Sequence, residues 1–278
     1  MNAVLFVNPR SGGGKAARAG LAERAREGGI DVVLLDGSVP LAALVEEAVA
    51  GGAGVLGVAG GDGSLGVVAA AAIAHDLPFV CVPAGTRNHF ALDLGLDRSD
   101  PVAALDAFFG EERRIDVGVV NGRVFLNNVS LGVYGDAVHR PDYRDAKVRT
   151  LLDTAASFRG AGSNVQLVDD LGHLHRDPIA VLVSNNPYAP GPRPGGPLRR
   201  VLDGGTLGVV VVDAPRIGRD PARAWAAASL EVVASGAVAA GVDGEALHLE
   251  PPLSFAIRPA ALRVRIPGSR RSGGSRSS

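Results

Sequence analysis

The stretch that decides the fold is VLGVAGGDGSLG at residues 55–66, in which a short apolar run leads into a glycine-rich turn. Val55–Ala59 has the length and composition of a buried strand, and Ser64–His75 is long enough for a helix. Glycines between a strand and a helix let backbone N–H groups approach an anion, and the helix start adds a favourable dipole. The turn at residues 60–66 therefore predicts a phosphate-sized binding loop.

The same alternation of strand and helix extends over the first third of the chain. The remaining strands are predicted at Ala3–Val7, Ile30–Leu35 and Phe79–Pro83, and the remaining helices at Lys15–Glu27 and Leu41–Ala50. This spacing is typical of βαβ units and a mostly parallel sheet. Ligands of such sheets bind at the carboxyl ends of the strands, so the loops there are the first candidates for a site.

Two further loops follow predicted strands, NPRSGGGK at residues 8–15 and PAGTRNHFA at residues 83–91. The first is not a Walker A loop, because Pro9 and Ala16 stand where that motif needs glycine and a hydroxyl residue. The turn at residues 60–66 contains G-x-G-x-x-G, but the next strand lacks the acidic residue of a dinucleotide-binding fold. With a Walker A loop and a dinucleotide-binding fold disfavoured, the loops still predict a nucleotide site of another kind.

Asp62 lies inside the second glycine turn. An acid beside bound phosphates is favourable only if a cation bridges them or if the acid handles a proton. The alternative is that Asp62 caps the following helix. The first interpretation predicts a site for a magnesium nucleotide.

The pattern changes after about residue 115. Short strands are predicted at Ile115–Val120, Arg123–Val129, Asn164–Asp169, Pro178–Ser184, Leu207–Val212, Val238–Gly241, Ala246–Leu249 and Arg263–Ile266, with helices at Arg144–Phe158 and Pro221–Ser235. The Asn121-Gly122 pair is a hairpin signal. We predict an α/β domain at 1–117, a β-rich, sandwich-like domain at 118–268 and a disordered tail at 269–278.

Composition excludes several classes of protein. The chain has 278 residues, 46% hydrophobic content and a net charge of −1, so neither a disordered chain nor a basic nucleic-acid-binding protein is expected. A single cysteine, Cys81, excludes a disulfide framework. No apolar run approaches the roughly 18 residues of a membrane span, and residues 1–7 lack the basic start of a signal peptide. We therefore expect a cytoplasmic protein.

These loops, in this order, resemble the diacylglycerol kinase catalytic family, which includes soluble bacterial lipid kinases and sphingosine kinases. The matching segments are N-P-x-S-G at Asn8–Gly12, G-G-D-G-T at Gly60–Ser64 with Ser64 for Thr, P-x-G-T-x-N-D-F-A at Pro83–Ala91 with His89 for Asp, F-x-N-x-x-S-x-G at Phe125–Gly132, and D-G-E at Asp243–Glu245. Together they span about residues 3–266.

The resemblance implies an N-terminal domain like those of NAD kinases and phosphofructokinases, a C-terminal β-sandwich, and ATP bound between them. It implies an ATP-dependent enzyme that transfers the γ-phosphoryl group to a hydroxyl of a lipid such as diacylglycerol. Glu245 would be the general base, assisted by Asp243, and Asp62 would hold Mg²⁺ with the phosphates. The nucleotide-binding residues would be Asn8, Pro9, Ser11, Gly12, Ser38, Gly60, Gly61, Gly63, Ser64, Thr86 and Asn88.

The chain departs from the family pattern at two positions. His89 replaces an acid of the third loop, and Gly204 stands where many bacterial members place an aspartate that helps to hold a structural Mg²⁺. These departures keep open the alternative of a nucleotide- or lipid-binding module without turnover. A second alternative is an NAD kinase-like enzyme on the same fold, which would share the G-G-D-G loop. The expected partners are a lipid substrate, a membrane met peripherally and, through an uncovered sheet edge, a second copy of the chain.

Overall fold

The computed structural model describes residues 2–132, 164–189, 199, 201–214 and 220–268. The chain divides into two compact units, Met1–Arg114 with Leu262–Ser278, and Ile115–Ala261. The helix predicted at 144–158 and the tail predicted at 269–278 lie outside the described residues. Within the described ranges, no helix combines the length and apolar character needed to cross a membrane.

The first unit alternates strands and helices as predicted. Its elements are β1 (Ala3–Val7), α1 (Lys15–Arg18), α2 (Leu21–Glu27), β2 (Asp31–Leu34), α3 (Leu41–Ala50), β3 (Val55–Gly60), α4 (Asp62–Ala74), β4 (Phe79–Pro83) and α5 (His89–Asp93), followed by a 3-10 helix at Ala103–Phe109. The single helix predicted at Lys15–Glu27 is two helices, because Gly20 adopts a left-handed conformation (φ 58°) between them.

Parallel pairing orders these strands β2-β1-β3-β4. Every residue of β1, β3 and β4 is buried, which explains why the sequence reads there as continuous apolar runs. Gly57 is required in β3 because a Cβ at this position would overlap the tip of the Phe108 ring at its Cζ atom. The sheet therefore has a rigid core, and the loops at its carboxyl edge are positioned by it.

The second unit is built almost entirely of strands. They are β5 (Glu111–Val120), β6 (Arg123–Phe125), β7 (Asn128–Gly132), β8 (Val165–Val168), β9 (Leu174–Arg176), β10 (Ala180–Asn185), β11 (Leu207–Val212), β12 (Ala222–Ala227), β13 (Ser229–Ala234), β14 (Val238–Val242), β15 (Glu245–Leu249) and β16 (Leu253–Ile266). Six of them form an antiparallel sheet in the order β12-β11-β10-β7-β14-β15. One core cluster joins this sheet, through Val129 and Val181, to Val165 of β8 and Phe255 of β16. The α/β and antiparallel β architecture predicted from the sequence is confirmed.

The helix predicted at Pro221–Ser235 is wrong, because this segment forms the strands β12 and β13. Its alanines favour a helix, but β12 pairs with β11 and places Trp225 opposite Val209. In β13 the burial alternates with a period of two, which buries Leu230 and Val232. Tertiary pairing therefore overrides the local helix propensity of this segment.

The last strand is longer than predicted and serves both units. The prediction began it at Arg263, whereas β16 begins at Leu253 and its first half pairs with β13. Its last residues pair in parallel with β4 of the first unit, where Val264 lies opposite Phe79. The predicted second domain extended to residue 268, but this pairing places Leu262–Ile266 in the sheet of the first unit.

Candidate active site

Three glycine loops of the first unit touch each other at the carboxyl edge of the sheet. A Cβ at Gly12 would lie 2.5 Å from the carbonyl oxygen of Ala84 and 3.1 Å from that of Gly85. A Cβ at Gly85 would lie 2.8 Å from Cα of Gly61 and 2.9 Å from the carbonyl oxygen of Gly60. Only glycine permits such backbone contact, so the loops after β1, β3 and β4 form one continuous surface.

Asn8 shapes the loop after β1. Its Oδ1 accepts a hydrogen bond from the Arg10 amide at 3.0 Å, and its own amide donates to the Ala59 carbonyl at 2.9 Å. Its carbonyl accepts from the Ser11 amide at 3.2 Å, so the chain turns around Pro9. The side chain of Asn8, predicted to contact nucleotide, is thus used to hold the loop in position.

Lys15 connects the start of α1 to the end of β4. Its Nζ donates to the Pro83 carbonyl at 3.1 Å and also to the Arg98 carbonyl. Burial lowers the pKa of Lys15, while the nearby Asp97 carboxylate raises it. The ammonium therefore stabilises the contact between the first and third loops.

The loop after β2 lies beside the loop after β1. The Arg10 guanidinium donates to the Asp36 carbonyl at 3.0 Å. Ser38 is exposed, and its hydroxyl donates to Asp36 Oδ1 at 2.6 Å. Hydrogen bonds from the hydroxyl and amide of Ser38 lower the pKa of Asp36. Ser38, the predicted hydroxyl residue, is therefore oriented by an adjacent carboxylate.

The second loop ends at the N-terminus of α4. Gly61 is the residue that precedes the helix, and it has no side chain to cap the first turn. The first N–H groups of a helix have no partner within the helix, and they carry partial positive charge. Among the described residues, no atom lies within 4 Å of a Cβ built on Gly61. The half-buried Asp62 opens the helix, and the Ser64 side chain lies against Gly60.

Asn88 holds the third loop closed. Its side chain is buried and bonds Gly85 twice, accepting from the amide at 2.8 Å and donating to the carbonyl at 2.7 Å. Asn88 itself is left-handed (φ 52°) and precedes α5, which starts with the half-buried His89. Thr86, which lies between Gly85 and Asn88, is exposed. The structure therefore brings together the loop residues predicted in the first unit, with Asn8 and Asn88 as positioning residues.

The D-G-E segment of the second unit is a tight turn between β14 and β15. Asp243 (φ 49°) and Gly244 (φ 85°) both have left-handed conformations. The Asp243 carboxylate points inward and accepts hydrogen bonds from three successive amides, those of Leu126 at 2.7 Å, Asn127 at 2.7 Å and Asn128 at 3.0 Å. These contacts divide the strand predicted at Arg123–Val129 into β6 and β7. Asp243 therefore anchors the polypeptide rather than presenting an acid to a substrate.

Arg199 reinforces this anchor from the other side. Its buried guanidinium donates to the Leu126 carbonyl, to the Asn185 carbonyl at 2.7 Å and to Asn127 Oδ1 at 3.1 Å. Burial raises the pKa of Asp243 to about 6, although the three amides and the Arg199 charge act to lower it. The sequence offered no signal for Arg199, because these hydrogen-bond partners lie 14 to 73 residues away along the chain.

Glu245 is the first residue of β15, and it is exposed. It stands two positions after Asp243, on the other side of Gly244. The Asp243 carboxylate of the turn is thus hydrogen-bonded to backbone amides, whereas the Glu245 carboxylate is accessible. Of the two acids that the D-G-E pattern singled out in this unit, only Glu245 is exposed.

Asp116 is a second buried acid of this unit, and no sequence motif singles it out. Its carboxylate accepts from the amides of Ala260 at 2.8 Å and Gly205 at 2.7 Å, and from Asn186 Nδ2 at 3.3 Å. The Gly204 amide donates to Asn186 Oδ1 at 2.9 Å. The segment in which Gly204 departs from the family pattern is thus held by protein hydrogen bonds.

A cavity of about 480 Å³ also lies in the second unit, lined in part by His175 and Asp213. Its polar side chains have partners close by: His175 Nδ1 lies 2.7 Å from Asp213 Oδ2, and Arg223 Nε lies 2.6 Å from Asp169 Oδ2. Burial acts to raise the pKa of Asp169, but backbone hydrogen bonds from His173 and Leu171 hold it below its usual range. This cluster stabilises the sheet edge and contains none of the predicted site residues.

Comparison with known proteins places this geometry in a family. The sequence model of the diacylglycerol kinase catalytic domain matches residues 2–120. The chain is 31% identical over 250 residues to a Pseudomonas fluorescens protein named "Probable lipid kinase YegS-like", covering 81% of each chain. A protein of the same name from Pseudomonas aeruginosa is 30% identical over 293 aligned positions, covering 95% of this chain and 94% of the other.

Solved structures agree on the fold. A crystal structure of a diacylglycerol kinase from Bacillus anthracis superposes with a TM-score of 0.68 at 18% identity, covering 95% of this chain and 96% of the other. The glycine loops that touch at the sheet edge fall within the matched residues 2–120, and the D-G-E turn follows in the remainder of the chain. The chain therefore belongs to the diacylglycerol kinase catalytic family.

Proposed function

We propose that the protein is an ATP-dependent lipid kinase, which transfers the γ-phosphoryl group to a hydroxyl of a lipid such as diacylglycerol. The observation that carries this proposal is the backbone contact of Gly12, Gly85 and Gly61 at one edge of a parallel sheet. Three loops without side chains at their meeting point form a surface that the phosphates of a nucleotide can approach closely. Membership in the family supplies the reaction class.

The nucleotide would bind against the first turn of α4. The N–H groups that follow Gly61 favour negative charge, and α4 has 13 residues, so its dipole is substantial. Ser11, Ser64 and Thr86 add hydroxyl groups to the same loops. Phosphoryl transfer requires mainly such positioning and charge neutralisation.

Magnesium fits the donor set of the second loop. Mg²⁺ prefers hard oxygen ligands, and it is usually held by one or two carboxylates together with substrate phosphates. Asp62, in the first turn of α4, supplies such a carboxylate. Within the described ranges no three His, Cys, Asp or Glu residues gather into a metal site, so the phosphates would supply most of the coordination. The bound ion would neutralise charge on the transferring group.

Glu245 would act as the general base. Its carboxylate is accessible, and the turn that presents it is anchored by the three hydrogen bonds to Asp243. The acceptor oxygen forms a bond to the γ-phosphorus, the bond from that phosphorus to the bridging oxygen of ADP breaks, and Glu245 takes the hydroxyl proton. Asp243 is then a positioning residue.

The test is phosphate transfer from radiolabelled Mg-ATP to a panel of lipids in detergent micelles, with diacylglycerol, a sphingoid base and a polyprenol as acceptors. We expect Glu245→Gln to lower kcat by about a hundredfold or more, because a positioned base contributes 10²–10⁴-fold. The matched control is Glu250→Gln, an exposed glutamate of the same unit, which should retain wild-type turnover. Full activity of Glu245→Gln would exclude it as the base.

The same assay separates the alternatives. ATP binding without transfer to any lipid would identify a binding module without turnover, and transfer to NAD alone would identify an NAD kinase-like enzyme.

The proposal also includes a homodimer, formed through the exposed edge of β12 or β15, and peripheral contact with a membrane. Light scattering of the purified chain measures its mass in solution and so tests the homodimer.

A further inference from the structure

Asp36 is an exposed acid at the same sheet edge as the glycine loops, and the phosphate site proposed above does not use it. It stands two residues after Leu34, the last residue of β2. β2 and β1 are parallel neighbours, with Leu34 opposite Val7, and the Leu35 amide donates to the Val7 carbonyl at 2.8 Å. Asp36 therefore lies beside the first glycine loop, which begins at Asn8.

The side chain of Arg10 joins the loop after β1 to the loop after β2. Its guanidinium donates a hydrogen bond to the Asp36 carbonyl at 3.0 Å. Gly37, which is left-handed (φ 89°), leaves room for this contact, since a Cβ there would lie 3.3 Å from Arg10 Nη2. The backbone of Asp36 is thus held against the loop that the phosphates of a nucleotide would approach.

Ser38 fixes the carboxylate of Asp36 through one of its two oxygens. The Ser38 amide donates to Asp36 Oδ1 at 2.8 Å and the Ser38 hydroxyl donates to the same oxygen at 2.6 Å, so neither bond uses Oδ2. These hydrogen bonds lower the pKa of Asp36, which is therefore ionised at neutral pH and can only accept. Asp36 Oδ2 suits a ligand group that donates a hydrogen bond, such as a hydroxyl.

The separation of this carboxylate from the phosphate site suits a nucleotide. The order β2-β1-β3 puts two strand spacings between the end of β2 and the end of β3, where α4 begins. These two spacings amount to roughly 10 Å. The start of α4 attracts phosphates, whereas the Asp36 carboxylate repels them. A nucleotide would therefore lie with its phosphates at α4 and its uncharged sugar at Asp36.

We propose that Asp36 binds the ribose of the nucleotide by accepting a hydrogen bond from a ribose hydroxyl at Oδ2, with Arg10 and Ser38 as positioning residues. In dinucleotide-binding folds, an acid about 20 residues after the glycine loop binds the ribose in the same way. The strand after the second glycine loop, β4, offers no such acid, but β2, which follows the first glycine loop, is followed by Asp36. The inference rests on the proposed function for the presence of a nucleotide, and it adds a requirement for the sugar.

The experiment is calorimetric titration of the full chain with the magnesium complexes of ATP, 2′-deoxy-ATP, 3′-deoxy-ATP and GTP, without lipid. We expect the wild type to bind ATP about tenfold more tightly than one of the deoxynucleotides, because a hydrogen bond to a charged group contributes about this factor or more. Asp36→Asn keeps an oxygen for both Ser38 bonds and should lose most of this preference. The matched control is Asp31→Asn, an exposed acid at the other end of β2, which should bind all four nucleotides like the wild type.

The four nucleotides separate a contact with the sugar from other roles of these residues. Asp36→Asn should weaken ATP and GTP by the same factor, because both carry ribose, and a loss confined to ATP would place the carboxylate at the base and overturn the proposal. Arg10→Ala should also reduce the preference for ATP over the deoxynucleotide. An equal weakening of all four nucleotides by Arg10→Ala would mean that Arg10 acts on the phosphates, and it would reject the positioning role.

Two results for the wild type distinguish failure of this inference from failure of the proposed function. Equal affinity for ATP and both deoxynucleotides would overturn the ribose site and leave the kinase function standing. Absence of binding of any of the four nucleotides would overturn both.

Discussion

The Asp243 anchor allows a prediction in which the sign of a pH effect is decided by the structure. The perturbation is Asp243→Asn. The wild-type carboxylate accepts from three amides, two of them at Oδ1 and one, that of Leu126, at Oδ2. An asparagine keeps one acceptor oxygen but faces the Leu126 N–H with an NH₂ group. One buried donor then loses its partner, which costs about 1–3 kcal/mol.

The pH dependence follows from burial of the same group. Burial raises the pKa of Asp243 from 3.8 to about 6. A raised folded pKa means that the native state binds a proton more tightly than the unfolded state, so the free energy of unfolding falls as pH rises from about 4 to about 6. At about 1.4 kcal/mol for each pKa unit, the fall amounts to about 3 kcal/mol. Asparagine does not titrate, so the advantage of the wild type over Asp243→Asn should shrink by that amount over this range.

Trp225 provides the measurement. It is the single tryptophan of the chain and lies in β12, so its fluorescence follows unfolding of the second unit. Urea unfolding of wild type and Asp243→Asn would be compared at several pH values between 4 and 7, and the difference between the proteins removes the titration of all other groups. Glu245→Gln is the control, because an exposed substitution two residues away should change stability by less than about 0.5 kcal/mol.

Two results would refute the reasoning. If the advantage of the wild type grows as pH rises, the amide hydrogen bonds outweigh burial, and the pKa of Asp243 lies below its usual range. If Asp243→Asn unfolds like the wild type at every pH, the carboxylate does not anchor the Leu126–Asn128 backbone.

Three further predictions concern the other contacts. Gly85→Ala should weaken ATP binding and lower the melting temperature, because its Cβ would press on Cα of Gly61 at 2.8 Å; Gly61→Ala should weaken ATP binding with little loss of stability, and calorimetry of both variants tests this contrast. Asn88→Ala should lower stability by about 1–3 kcal/mol, because the bonded amide and carbonyl of Gly85 lose their partner; an unchanged unfolding midpoint would contradict this role. Asp169→Asn should destabilise the protein at neutral pH, because the lowered pKa of Asp169 in the folded protein contributes stability that is present above about pH 4 and is lost on acidification. A loss of unfolding free energy that stays constant down to about pH 3 would show that the pKa of Asp169 is not lowered.

The first unit could be predicted closely because its strands are buried on both faces. Continuous apolar runs such as Ala3–Val7 and Phe79–Pro83 leave no alternative to a buried strand, and both were predicted with their observed bounds. Glycines at the strand ends then indicated the loops. The error at Pro221–Ser235 has the opposite cause, since an alanine-rich segment carries a local helix signal that pairing with β11 overrides.

The candidate site shows the same division. The glycine loops, their order and the D-G-E turn could be predicted from the sequence. Each is a contiguous stretch whose residue types suit phosphate and proton chemistry. The different environments of Asp243 and Glu245 were not visible, because burial and hydrogen bonding depend on which distant backbone faces each carboxylate. Asn88 is a similar case, since its side chain closes its own loop.

The sequence by itself therefore determined the fold class, the loops that form the candidate site and the family to which the chain belongs. Only the tertiary structure decided which polar groups are consumed in holding those loops and which remain accessible. Arg199 and Asp116 became apparent only there, because the hydrogen-bond partners described above for these two buried charges lie on other segments of the chain. The physical reason is that local composition sets secondary structure, whereas the environment of a charge is set by segments that meet in space.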